Sequence, residues 1–152
     1  MLALVLASAT ACSDAVARTL ASVPVPAGAV LVEEEHSFEG ERGAHATRTY
    51  SLPSPIDEAC PPVIGPILGA GYRLDDYSPP HPRIQDATTW CTTAIDAQRA
   101  ANGPDSLVAV VALAYEPGAD AESASGPFSV ALTPPSSTDP YPAGTLLRLE
   151  SS

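Results

Sequence analysis

The chain contains no lysine. All seven of its cationic side chains are arginines, set against 18 acidic side chains, and the formal net charge is −11. Phosphate backbones are bound by clustered Lys and Arg, so we expect no nucleic-acid partner. The same charge offers no electrostatic attraction to an anionic membrane surface. The acidity instead favours a soluble, unaggregated domain.

A hydrophobic run long enough to cross a membrane is also lacking at the start of the chain. The apolar run Leu2 to Ala11 is too short to span a hydrocarbon core, which requires about 20 residues. It ends in small residues before Cys12, which fit the pocket of a signal peptidase. We therefore predict a secretory signal peptide at residues 1–11. No Lys or Arg precedes the run, which an internal start with a basic stretch upstream would explain.

The position of Cys12 indicates a lipobox, in which this cysteine becomes the lipidated N-terminus of the mature protein. A lipobox most often has Leu where this chain has Ala9. A cysteine carrying two fatty chains, such as palmitate, would anchor the protein durably in the membrane. Each buried methylene adds about 0.8 kcal/mol to the free energy of membrane binding. We expect a protein anchored by lipid to the outer face of the cell membrane. The alternative is an ordinary signal peptide cut near Ala11, with Cys12 unmodified.

Cysteine is scarce, and its count of three is odd. An odd cysteine in an exported protein needs its own explanation. Assigning Cys12 to lipid leaves Cys60 and Cys91, which would form a disulfide in an oxidising compartment. The alternative is a pair of buried free thiols.

Proline and glycine are abundant, with 17 and 10 residues, and this frequency argues against a helical bundle. Residues 12–27 are expected to be the lipidated cysteine and a tether, since Val23-Pro24-Val25-Pro26 enforces an extended backbone. Residues 28–152 have the size of a single domain. Arginine without lysine, with abundant Ala and Pro, suggests a GC-rich genome and a high-GC Gram-positive bacterium.

Alternating apolar and polar residues predict a mostly β domain with one substantial helix. The helix is expected from Ser54, as its cap, to Gly69 or Gly71, kinked or in two pieces because of its three prolines. Thr88 to Ala97 is Thr-rich and predicts a strand, although the tail from Ala94 to Ala101 also suits a helix. The predicted strands are 29–38, 46–52, 72–77, 88–97, 107–115, 128–133 and 146–149.

This order predicts an α+β fold in two layers, with one helix packed on one face of a mostly antiparallel sheet. A β-sandwich is the alternative.

No catalytic, metal-binding or cofactor-binding pattern is evident, so we predict a protein that is not an enzyme and has no cofactor. There is no Gly-x-Ser-x-Gly motif, and Gly65, Gly69 and Gly71 match no phosphate-binding fingerprint. The acidic run Glu33 to Glu35 favours a solvated edge over a calcium site. Histidines without zinc-ligand spacing are expected to be exposed; they are His36, His45 and His81.

Two proline-rich loops contain aromatic residues that suit a peptide or a glycan, although loop stiffening is the favoured explanation for them. The loops are Ser78–Asp86 and Pro134–Gly144, with Tyr77 and Tyr141. Trp90 beside Cys91 is more typical of a core aromatic packed on a disulfide. A secreted hydrolase or small-molecule carrier, with a site built from these loops, is the alternative function.

The chain resembles a loose group of small, uncharacterised lipoproteins from actinobacteria. The shared outline is Cys12 after an apolar run, Pro24-x-Pro26-x-Gly28, a strand pair ending at Tyr50, a helix led by Pro53, and Gly71-Tyr72, where relatives often have Gly-Trp. The outline covers most of the chain, but its motifs are short. The resemblance implies location and fold, and no activity. Our leading hypothesis is a lipid-anchored extracytoplasmic protein whose noncatalytic domain binds or scaffolds an envelope protein or glycan.

Overall fold

The domain is built from six strands and three helices in a computed structural model that describes residues 15–38, 43–76, 86–104, 108–115, 127–135 and 144–151. Helix α1 covers residues 15–22. The other elements, in chain order, are β1 Val30–Phe38, β2 Ala44–Leu52, α2 Ile56–Gly69, β3 Arg73–Asp76, α3 Ala87–Asn102, β4 Val110–Tyr115, β5 Phe128–Thr133 and β6 Thr145–Ser151.

The six strands form one antiparallel sheet in the order β1-β2-β6-β5-β4-β3. Strand β5 pairs with β4 on one side and with β6 on the other. Strand β6 also pairs with β2, so the last strand of the chain joins the N-terminal strands to the rest of the sheet. Strands β1 and β3 are the two edges. The predicted α+β class with an antiparallel sheet is confirmed.

The core lies between one face of the sheet and the helices. Phe128, Val130 and Leu132 are fully buried, whereas the residues that alternate with them in β5 are half-buried. This alternation is expected when only one face of a sheet is covered. The helices contribute apolar residues to the same cluster, namely Leu20, Ala59, Cys60, Val63, Ile64, Ile67, Trp90, Cys91, Ala94 and Ile95.

Helix α3 replaces the strand predicted at Thr88 to Ala97, and that prediction is wrong. The side chain of Asp86 caps the helix, accepting a hydrogen bond from the amide of Thr89 at 2.9 Å. The buried residues Trp90, Cys91, Ala94 and Ile95 then fall at helical spacing. The cap and this apolar stripe outweigh the β preference of the threonines.

Helix α2 is one continuous helix of 14 residues, so of the two forms predicted for it, kinked or in two pieces, the two-piece form is wrong. Pro62 and Pro66 lie on its exposed side, while Val63, Ile64 and Ile67 are fully buried. The carbonyls that lose an amide donor at these two prolines belong to exposed residues, where water can satisfy them. The helix begins after Pro55 without a side-chain cap, so the predicted cap by Ser54 is also wrong.

The packed structure begins before the expected boundary at residue 28. Leu20 and Val23 are buried in the core cluster, and Val16 and Ala17 pack against it. Helix α1 contacts the sheet at β2 and β6. The segment expected to be a tether is therefore part of the domain from its first described turn.

Candidate interaction surface

The face of the sheet that points away from the helix layer is not covered by any described helix. Its central strands present half-buried Leu113, Ala131 and Leu146, together with exposed Val111 and Arg148. Monomeric proteins rarely leave a broad apolar surface without a use. This face, the open face, is the first of two candidate contact surfaces, although Thr47, Ser51 and Tyr115 are buried on it.

The second surface is the edge strand β1. Its apolar start is unusually accessible, since Val30, Leu31 and Val32 are 49%, 43% and 49% exposed. The register of pairing with β2 shifts between Leu31 and Glu33, so a β-bulge separates this apolar start from the acidic remainder of the strand. Bulges and charges commonly protect an edge strand from unwanted pairing. No described strand pairs with the outer side of β1.

The three glutamates of β1 are divided between the two faces of the sheet. Glu33 and Glu35 lie opposite Thr49 and Thr47, on the open face. Glu34 lies opposite Arg48, on the face that bears the helices. Among the described residues, an ion pair is found for Glu34 and none for Glu33 or Glu35.

Arg48 anchors the middle glutamate. Its Nη2 donates to Glu34 Oε1 at 3.1 Å, and its Nη1 donates to the hydroxyl of Tyr50 at 3.3 Å. Burial acts to lower the pKa of Arg48, but the hydrogen bonds to Tyr50 and Glu34 outweigh it and raise the pKa above its ordinary value. Arg48 is therefore a permanent cation that fixes Glu34 against β2.

A second polar network crosses β2 and β6 on the open face. The Nε2 atom of His45 lies 3.2 Å from Thr47 Oγ1 and 3.5 Å from Glu150 Oε1, and Arg148 Nε lies 3.8 Å from Glu150 Oε2. In a catalytic triad, histidine contacts the nucleophile through one ring nitrogen and the acid through the other. Here both neighbours approach the same nitrogen, so this arrangement cannot relay a proton from Thr47 to Glu150.

A depression between α1 and the first two strands has about 150 Å³ of empty space, and this figure includes open solvent. Ala17, Leu20 and Ala46 form its floor, and the side chains of β1 and β2 form its rim. Small-molecule pockets usually enclose roughly 300–1,000 Å³. The depression is too small to hold a typical ligand, so it favours contact with a surface over enclosure of a molecule.

The predicted disulfide between Cys60 and Cys91 is present and joins α2 to α3, with the two Cα atoms 6.0 Å apart. Both cysteines and Trp90 are buried in the core, as the sequence predicted for the aromatic residue. Cys12 lies outside the described residues. So do residues 77–85 and 136–143, on which most of the two predicted proline-rich loops fall.

Histidine positions are partly as expected. His36 is exposed in β1 and His45 is half-buried in β2, while His81 lies outside the described residues. Within the described part of the chain, no three His, Cys, Asp or Glu side chains group closely enough to hold a metal ion.

The sequence-based analysis identified Glu33 to Glu35 as a solvated edge but did not identify β1 as the outermost strand. Position within a sheet depends on which strands pair, and each strand pattern alone does not reveal its neighbours. The triplet of exposed aliphatic residues before the glutamates was the available signal.

Comparisons of the chain with protein-family models, with curated proteins and with solved structures gave no match. None of the helices in the described ranges is both long and apolar enough to cross a bilayer. The function is therefore argued from the residues themselves.

Proposed function

We propose that this chain is a lipid-anchored extracytoplasmic protein whose domain binds a partner in the cell envelope. The observation that carries the proposal is the Cys60–Cys91 disulfide in the core. Disulfides persist in oxidising compartments and are rare in the cytosol. Pairing these two cysteines leaves Cys12 as the third, directly after an apolar segment that suits an export signal.

The binding role is supported by the two accessible surfaces, the open face of the sheet and the edge strand β1. Both display apolar side chains beside charged ones, which is the composition of many protein–protein contact sites. The acidic balance of the chain favours a partner that presents cations. The resemblance to small actinobacterial lipoproteins is in keeping with the proposed location.

The anchor is tested by mass spectrometry of the N-terminal peptide of the protein isolated from membranes of its own host. We expect a peptide that begins at Cys12 and carries the mass of a diacylglyceryl group and fatty acids. A Cys12→Ala variant should move from the detergent phase to the aqueous phase in a detergent-partition experiment. A mature chain with unmodified Cys12, or one that keeps residues 1–11, would refute the anchor.

A further inference from the structure

The outer side of β1 is a long edge with its backbone accessible to another strand. Strand β1 has nine residues, and six of them follow the bulge, from Glu33 to Phe38. Six residues are about the usual length of a strand, so this stretch alone is long enough to form a ladder. Addition of a partner strand to such an edge is an established mode of peptide recognition, in which backbone hydrogen bonds provide affinity and alternate side chains provide specificity.

The charges of β1 decide which strand can pair with it. Two copies of this chain aligned over their acidic stretches would place like charges opposite each other, which is destabilising. The formal net charge of −11 adds repulsion between copies over longer distances. A strand carrying basic residues would instead meet Glu33 and Glu35, for which no described residue supplies a cation.

We propose that the outer edge of β1 binds an extended basic segment of a partner protein, which adds to the sheet as a seventh strand. This inference rests on the proposed binding function and names the chemistry of its partner. Glu33 and Glu35 share one face, so the partner requires two basic residues separated by one position. Glu34 is already held by Arg48, so the residue between the two basic ones is uncharged.

The apolar start of β1 sets the remainder of the pattern. Every pairing in this sheet is antiparallel, and we take the added strand to be antiparallel as well. A strand in that direction meets residues 36–38 first, then the glutamates, and Val30, Leu31 and Val32 last. The partner segment therefore has three leading residues opposite 36–38, followed by basic, polar, basic, and then aliphatic residues.

The probe is a synthetic nine-residue peptide with threonines at its first three positions, arginines at its fourth and sixth positions with threonine between them, and valine, threonine and valine at its end. Its binding to the purified protein is measured by fluorescence anisotropy, and hydrogen–deuterium exchange of the same mixture reports the site. We expect saturable binding and slower exchange within Val30–Phe38. A peptide of the same composition in reversed order should bind more weakly.

The decisive variant is Glu33→Lys with Glu35→Lys, two exposed positions. Each lysine would repel an arginine of the peptide that the glutamate attracts. We expect it to weaken binding about tenfold or more. The matched control is Glu58→Lys with Asp96→Lys, which changes the net charge equally at exposed helix positions away from β1. The control should stay within about twofold of the unmodified protein.

Equal weakening by the two double variants would overturn the proposal, because it would indicate attraction to net charge alone. Equal binding of the reversed peptide, protection outside β1, or self-association of the protein through β1 would also overturn it. Failure of the anchor is a separate result, since peptide binding with unmodified Cys12 refutes only the anchor. A lipidated Cys12 without peptide binding refutes only the edge proposal.

Discussion

Single side chains tie distant parts of this chain to the sheet. Thr145 is almost fully buried at the start of β6, and its hydroxyl donates to the carbonyl of Ser54 at 2.8 Å. Ser151, at the other end of the same strand, donates to the carbonyl of Pro127 at 2.6 Å. Each bond satisfies a carbonyl just outside a helix or a strand, so β6 holds two loops in place.

The substitution Thr145→Val should destabilise the protein by about 1–3 kcal/mol, because it removes the donor for a carbonyl in a partly buried site. The change in free energy of unfolding is measured by urea denaturation. The control is Thr133→Val, at a half-buried position whose hydroxyl bonds to no described residue. The control should change stability by less than about 0.5 kcal/mol, and an equal effect of both variants would contradict the role of the bond.

At the scale of elements, helix α3 is capped by the residue that precedes it. The Asp86 carboxylate accepts hydrogen bonds from the Thr89 hydroxyl at 2.7 Å and from the Thr89 amide at 2.9 Å. These bonds lower the pKa of Asp86 below its ordinary value of 3.8. At its other end, α3 is held to α2 by Arg99, whose two terminal nitrogens donate to the two carboxylate oxygens of Asp57 at 3.1 and 2.8 Å.

The cap predicts a stability that depends on acidity. Because the folded-state pKa of Asp86 is lowered, its contribution is complete above the ordinary value of 3.8 and is lost as the pH falls through the lowered pKa. Asp86→Ala should lower the thermal midpoint at neutral pH. Asp86→Asn should keep the cap, since Asn caps as well as Asp does, but should weaken the fall in stability at acidic pH. Thermal unfolding followed at several pH values between about 2 and 6 checks both; an unchanged acid response of Asp86→Asn would count against the prediction.

At the scale of the whole molecule, two of the three described helices, α2 and α3, are joined covalently. The disulfide connects α2 to α3 across 31 residues of sequence, and this closed segment includes β3. In the unfolded chain, the bond therefore limits the conformations open to the residues of an edge strand and of two helices. On the opposite side of the sheet, the strands β1, β2 and β6 are held only by non-covalent contacts among the described elements.

Replacing both cysteines, Cys60→Ala with Cys91→Ala, should destabilise the protein by about 3–4 kcal/mol, the chain-entropy value for a loop of this length. Chemical denaturation with and without a reductant measures it. The reductant should lower the stability of the unmodified protein towards that of the variant and leave the variant unchanged. A variant as stable as the oxidised protein would show that the bond contributes little.

The sequence predicted the alternating strands and the cysteine pair because both depend on local pattern or simple counting. It failed at α3, where β-branched residues predicted a strand and a capping aspartate with an apolar stripe made a helix. It left α2 between a kinked and a two-piece helix, because the cost of a proline depends on whether the lost hydrogen bond faces water. The outer position of β1 was beyond prediction from one strand, since it is set by pairing with β2 alone.

If Cys12 carries the proposed lipid, the position of α1 limits how far the domain can lie from a membrane. Helical structure is present from residue 15, three positions after Cys12. Three residues extend at most about 11 Å, so with acyl chains on Cys12 the domain would rest close to the lipid headgroups. A partner on a distant cell-wall layer would be out of range, and one embedded in or lying on the same bilayer would be within reach.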